Sequence, residues 1–147
     1  MGRLGDLVAK KQALRDWHLI KLEPTSDMQM TIGFRSEVPP GIMPEQYPVR
    51  VNVRSSYPHE GNGLPSSDRL LLMQQLDQRS ASGAALLLMT KAGNGLREST
   101  FQTADSDALI SHVMRLAAEL GLEVETDVAP DPTWTHWREI VAKVPRR

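Results

Sequence analysis

The sequence predicts an α+β domain: a ferredoxin-like split βαβ antiparallel sheet, extended by an N-terminal strand pair, with helices mainly on one face. Three observations carry that expectation. Val49, Val51 and Val53 alternate strictly with Arg50, Asn52 and Arg54, the period-two pattern of a half-buried strand. The stretch Ala84 to Thr103, AALLLMTKAGNGLRESTFQT, holds two strand-like runs around Asn94-Gly95. That dipeptide suits the positive φ which both central residues of a type I′ hairpin turn require. Stretches with helical spacing separate the strands, so from Val49 onward the order is strand, helix, strand, strand, helix, strand.

In chain order, residues 1–16 form a peripheral segment with Leu4, Leu7, Val8 and Leu14 at roughly helical spacing, and residues 17–147 a single domain. Trp17 to Leu22 and Met28 to Arg35 read as strands joined by Pro24-Thr25-Ser26-Asp27. In the second, Met28, Met30, Ile32 and Phe34 alternate with Gln29, Thr31, Gly33 and Arg35. Glu37 to Tyr47, with Pro39, Pro40, Gly41 and Pro44, is a loop, and Tyr57 to Pro65 is another. Ser66, Ser67 or Asp68 caps a helix with its apolar stripe at Leu70, Met73 and Leu76, widened by Leu71 and Leu72 and ending near Ser82-Gly83. Asp105 caps a second, with Leu109, Val113, Leu116, Ala117 and Leu120 on one side and Gly121 past its end. Leu122, Val124, Thr126 and Val128 then alternate with Glu123, Glu125 and Asp127 in another strand. Asp131 is placed to cap a last helix with Pro132 at its first position and Trp134, Trp137, Ile140, Val141 and Val144 on one side.

With Asn94-Gly95 as the loop, Gly93 faces Leu96 and the register follows by subtraction. It sets Lys91 opposite Glu98, Met89 opposite Thr100, Leu88 opposite Phe101 and Leu86 opposite Thr103, with Phe101 facing the core alongside Leu88. The first strand of this hairpin is apolar on both faces, although a minimal ferredoxin-like sheet would leave it at an edge. The conflict eases if the early strand pair lies beyond it.

At GNGLPSSDRLLLMQQLDQ, TKAGNGLRESTFQTAD and DPTWTHW the chain resembles a bacterial family known as domain of unknown function 695. The resemblance rests on Gly63-Leu64-Pro65 ahead of a helix, Thr90 through Arg97-Glu98 in a hairpin, and Asp131 with Trp134, and it covers nearly everything after Asp16. Phe101-Gln102 departs from it, since an aromatic residue is expected after Phe101. The hairpin and tail are also similar to the regulator B family of ribonuclease E inhibitors. That similarity implies a ferredoxin-like fold and, by analogy, a regulatory role.

The composition narrows the classes of function. A net charge of −1 leaves no basic excess to follow a phosphate backbone, and the absence of cysteine excludes disulfides, thiolate metal sites and cysteine nucleophiles. The longest apolar run, Ala84 to Met89, is too short to span a bilayer, and the first residues lack a signal-type apolar core. The chain reads as a cytoplasmic, bacterial-type protein with no membrane association. His18, His59, His112 and His136 form no close ligand pair, and no phosphate loop, nucleophile elbow or dinucleotide fingerprint occurs, so no metal, cofactor or catalytic group is expected.

The most informative polar set is Arg50, Asn52 and Arg54 on one face of a strand placed between Leu96–Thr103, which offers Glu98, Thr100 and Gln102, and Leu122–Val128, which offers Glu123, Glu125 and Asp127. The plainer reading is a solvent-side ladder of ion pairs, each worth roughly 0.2–1 kcal/mol. The functional reading is a mixed-charge platform for a partner. The expected function is a non-catalytic protein-binding or regulatory module whose binding surface draws on Arg50, Asn52, Arg54, Arg97, Glu98, His59 and Glu60. One alternative is a small-ligand binder or enzyme with a pocket near the Tyr57–Pro65 loop, using His59, Glu60 and Arg97. Another is an RNA-associated regulator, disfavoured because Phe101 alone could stack and faces the core. Trp134 and Trp137 either anchor the last helix or, like Leu87 and Met89, supply a homodimer contact.

Overall fold

A strand with apolar side chains on both faces must be covered on both, and the sheet is arranged to do so. The computed structural model describes residues 17–25, 28–58, 63–81 and 84–143 of the chain. Within them run β1 (Trp17–Thr25), β2 (Met28–Arg35), a short 3-10 turn (Pro44–Gln46), β3 (Val49–Ser56), α1 (Ser67–Ser80), β4 (Ala85–Gly93), β5 (Leu96–Thr103), α2 (Ser106–Leu120), β6 (Val124–Pro130) and α3 (Thr135–Lys143). The six strands form one sheet in the order β1-β2-β4-β5-β3-β6, antiparallel throughout. The split βαβ order is β3 to β6 with β3 between β5 and β6, and the early hairpin extends it past β4. The doubly apolar strand is therefore internal.

Local chemistry sets the element boundaries. Ser66 Oγ accepts from the Arg69 N–H at 3.3 Å and Asp105 from the Ala108 N–H at 3.1 Å, each satisfying a free donor of a first helical turn. Gly121, at φ 71°, closes α2: its N–H reaches Ala118 O, and the Leu122 N–H returns to Ala117 O at 2.8 Å. Leu122 is buried just ahead of β6. α1 ends at Ser80 with an extended Ala81 cap, and the expected stop at Ser82-Gly83 lies outside the described residues. β1 continues through Pro24 to Thr25, where the sequence suggested a turn, and its register with β2 shifts between Leu22 and Thr25.

The hairpin turn takes the expected form, with Asn94 at φ 53° and Gly95 at φ 81°. Gly93 faces Leu96, Lys91 faces Glu98 and Met89 faces Thr100. Beyond that a bulge at Leu88 shifts the ladder, so that Leu87 lies opposite Phe101 and Ala85 opposite Thr103. The expected pairs Leu88–Phe101 and Leu86–Thr103 do not form. Instead the extra residue sends Leu88 to the other side of the sheet from Phe101, and the Arg35 Nε–H donates to the Leu87 carbonyl at 2.8 Å.

Each face of the sheet has its own core. On one side Val51, Val53 and Phe101 meet Met73 and Leu76 of α1 and Val113 and Leu116 of α2. On the far side Ile32, Phe34, Leu88 and Met89 meet Trp134, Trp137 and Val141, so α3 covers the face opposite α1 and α2. Leu87 packs against the first core and Met89 lies within the second. A buried ion pair sits in the helix-side layer: Arg97 Nη1 donates to Asp77 Oδ2 at 2.6 Å, and the Ser99 hydroxyl donates to Asp77 Oδ1 at 2.6 Å. Burial pushes the Asp77 carboxyl up, against the pull of Arg97 and of the Ser99 hydroxyl. Arg97→Met is expected to cost roughly 3–5 kcal/mol by leaving Asp77 buried and unpaired. The double variant Asp77→Leu/Arg97→Met is expected to cost less than the single change, and urea unfolding of the pair checks both.

Candidate functional site

Period-two alternation places Arg50, Asn52 and Arg54 of β3 on the far face, the side covered by α3. In the ladders Arg50 lies between Gln102 and Ala129, Asn52 between Thr100 and Asp127, and Arg54 between Glu98 and Glu125. This set of polar residues is graded. At one end it is enclosed: Asn52, Thr100 and Gln102 are buried, Thr100 Oγ1 donates to Asn52 Oδ1 at 2.8 Å, and Gln102 Nε2 donates to the carbonyls of Tyr47 and Asp131 at 2.9 and 3.1 Å. At the other end Arg54 Nη1 meets Glu98 Oε2 at 3.3 Å, with the side chains 30% and 21% exposed. Beyond them Lys91, Glu125 and Asp127 face solvent.

Asp131 joins the sheet to α3. Its carboxylate accepts the Thr135 N–H at 2.8 Å and the His136 N–H at 3.3 Å, and pairs with Arg50 at 3.2 Å. The helix begins at Thr135, so Pro132 is not its first residue as the sequence suggested. Trp134 stands just before it, at φ 58°, and its carbonyl accepts the Arg138 N–H at 3.0 Å. Left-handed backbone in a bulky residue costs of order 1–3 kcal/mol. A fully buried indole, donating to Tyr47 O at 3.0 Å and meeting Trp137 edge-on, holds it there. Trp137 in turn donates to Arg35 O at 3.0 Å, so the two tryptophans do anchor the helix.

His136 stands over this junction, half-buried. Burial and the Arg50 charge lower its pKa, outweighing Glu98 and Asp131. A lowered imidazole pKa means that the folded state binds protons less readily than the unfolded one. Its contribution to stability is complete above the ordinary value of 6.5 and is lost as pH falls through the lowered value.

The expected surface residues thus separate. Arg54 and Glu98 are partly exposed, as is Arg50, which is bonded to Asp131. Asn52 and Arg97 are interior, Asn52 under the α3 side and Arg97 on the opposite face with Asp77. His59 and Glu60 lie outside the described residues. His18 stacks on Phe34 at 5.4 Å. His112 Nδ1 accepts from Arg115, which makes Nε2 the donor to Arg79 O at 3.0 Å. Among the described residues, no three His, Asp or Glu side chains gather as a metal-binding group. Near the Tyr57–Pro65 loop there is an open cleft of about 360 Å³ lined by Ser56, Tyr57, Pro58, Arg69, Gly121 and Glu123. The Tyr57 hydroxyl donates to Gly63 O at 2.7 Å, and burial raises its pKa.

Asp131→Ala removes two helix-capping bonds and the Arg50 partner, and is expected to cost roughly 2–3 kcal/mol in urea unfolding, with a red-shifted tryptophan emission. Acidification below 6.5 is expected to lower the stability of the native protein more than that of His136→Gln, measured as the difference between their unfolding free energies across pH.

No protein-family model matches the chain, and no curated protein matches it.

Proposed function

We propose that the chain is a non-catalytic protein-binding module that engages its partner through the open, charged end of the far face. The observation that carries this reading is the contrast between the two ends of one polar surface. Where α3 covers it, Arg50 is tied to Asp131; past α3, Lys91, Glu125 and Asp127 face solvent beside the partly exposed pair Arg54–Glu98. A partly exposed ion pair such as Arg54–Glu98 contributes only about 0–1 kcal/mol to stability, so exchanging it for a contact with a partner costs little. The resemblance to a ribonuclease regulator is consistent with such a role. An RNA partner fits less well, because Phe101 is buried in the helix-side core and the charges exposed on β6 are acidic.

A second reading is a small-ligand site in the cleft beside Tyr57. It is favoured by the juxtaposition there of Arg69 with Glu123, and disfavoured by the openness of the wall on the solvent side.

Arg54→Glu is expected to weaken capture of the partner from cell extract about tenfold while the melting temperature changes little. A partner held equally by both proteins, or none captured by either, counts against the charged face. A melting temperature raised by a small molecule, and unchanged by that molecule in Arg69→Ala, would favour the cleft instead.

A further inference from the structure

The register of β6 settles which of its backbone groups face outward. The Asp131 N–H donates to Pro48 O at 2.8 Å, one position past the β3–β6 ladder and in register with it, which marks 48/131 as a hydrogen-bonding position. Such pairs recur at every second position in an antiparallel ladder. The bonds of Arg50, Asn52 and Arg54 to β6 therefore go to Ala129, Asp127 and Glu125. The other strand residues, Val124, Thr126 and Val128, direct their N–H and C=O groups away from β3, and Pro130 ends the donor row. The β3–β5 ladder agrees: the Tyr57 N–H meets Gly95 O at 2.9 Å, which turns the odd-numbered residues of β3 toward β5 and the even-numbered ones toward β6. β6 is last in the strand order, and among the described residues no strand pairs with its outer side.

The two flanks of this open edge differ. On the helix side Val124 packs against the core and Val128 is 44% exposed, with Thr126 between them. On the far side Glu125 and Asp127 are exposed, and among the described residues no salt bridge engages either carboxylate. We propose that the outer edge of β6 receives an extended, basic segment of a partner protein as an added strand. Lysine or arginine at alternate positions of that segment would face Glu125 and Asp127, and apolar residues would lie beside Val128 and Val124. The same carboxylates repel a second copy of β6, so the edge selects a basic strand over self-association. This inference rests on the reading of the chain as a protein-binding module and names the partner segment that reading lacks.

The test uses the full chain and end-blocked peptides that alternate Lys, or Glu as the control, with Val and Thr. The lysine peptide is expected to bind saturably, to shift the amide resonances of Val124, Thr126 and Val128, and to weaken with added salt. Thr126→Pro removes an outward N–H that the β3 ladder does not use, a place where an edge strand tolerates proline. It is expected to reduce binding roughly tenfold with the circular dichroism spectrum unchanged. Val128→Pro serves the same purpose if that variant fails to fold. Glu125→Lys/Asp127→Lys is expected to exchange the preference toward the glutamate peptide. No saturable binding of the lysine peptide, equal binding of both peptides, or a dimer abolished by Thr126→Pro each overturns the proposal. A partner captured by wild type and by Thr126→Pro, yet lost in Arg54→Glu, overturns edge pairing and leaves the protein-binding reading in place. A partner lost in Thr126→Pro supports both.

Discussion

The structure depends on one constraint: β4 is apolar on both faces, so both faces and both edges of that strand have to be covered. β2 and β5 take its edges, α1 and α2 build a core on one side, and α3 builds one on the other. The bulge at Leu88 serves the same end. An unbroken ladder would aim Leu88 and Met89 at opposite faces. The extra residue lets both join Trp134 and Trp137, while Arg35 bonds the Leu87 carbonyl. Covering β4 brings α3 onto the far face, and with it Asp131 over Arg50. Among the described residues the sheet ends in β1 on one side and in β6, with its exposed carboxylates, on the other.

Much of this was legible in the residues. Alternation in β2, β3 and β6 marked their inward faces, Asn94-Gly95 marked the turn, and the run Ser66-Ser67-Asp68, Asp105 and Gly121 marked helix ends. Each is a local rule, read from a few neighbouring positions. The bulge was not legible, because the run AALLLM offers an apolar residue for either face at every register. Nor was the start of α3: a left-handed tryptophan is set by the packing of its indole, and Asp131-Pro132 alone fits an earlier start.

The candidate site was legible as a face and illegible as a surface. Alternation put Arg50, Asn52 and Arg54 together, but whether they meet water depends on where α3 lies, which is a tertiary matter. Arg97 shows a signal that was available and unused. It shares its strand face with Phe101, so it had to point inward, and Asp77 follows Met73 and Leu76 onto the buried side of α1. A cation on an inward strand position and an acid on an inward helix position call for each other. Charge in this chain therefore does two jobs. Inside, Asp77 with Arg97 and Asp131 with Arg50 fix how layers meet; outside, on β6, Glu125 and Asp127 face solvent with no salt bridge among the described residues.

A sheet closed around β4 and open at β6 leaves a distinct record in its backbone amides, and hydrogen exchange of the free protein reads it most directly. Amides of β4 and β5 are expected to exchange only with global unfolding. Along β6 an alternation is expected, with Glu125, Asp127 and Ala129 protected by β3 and with Val124, Thr126 and Val128 exchanging fast. Fast exchange throughout β4, or slow exchange at Thr126 and Val128 in the isolated chain, would contradict the account.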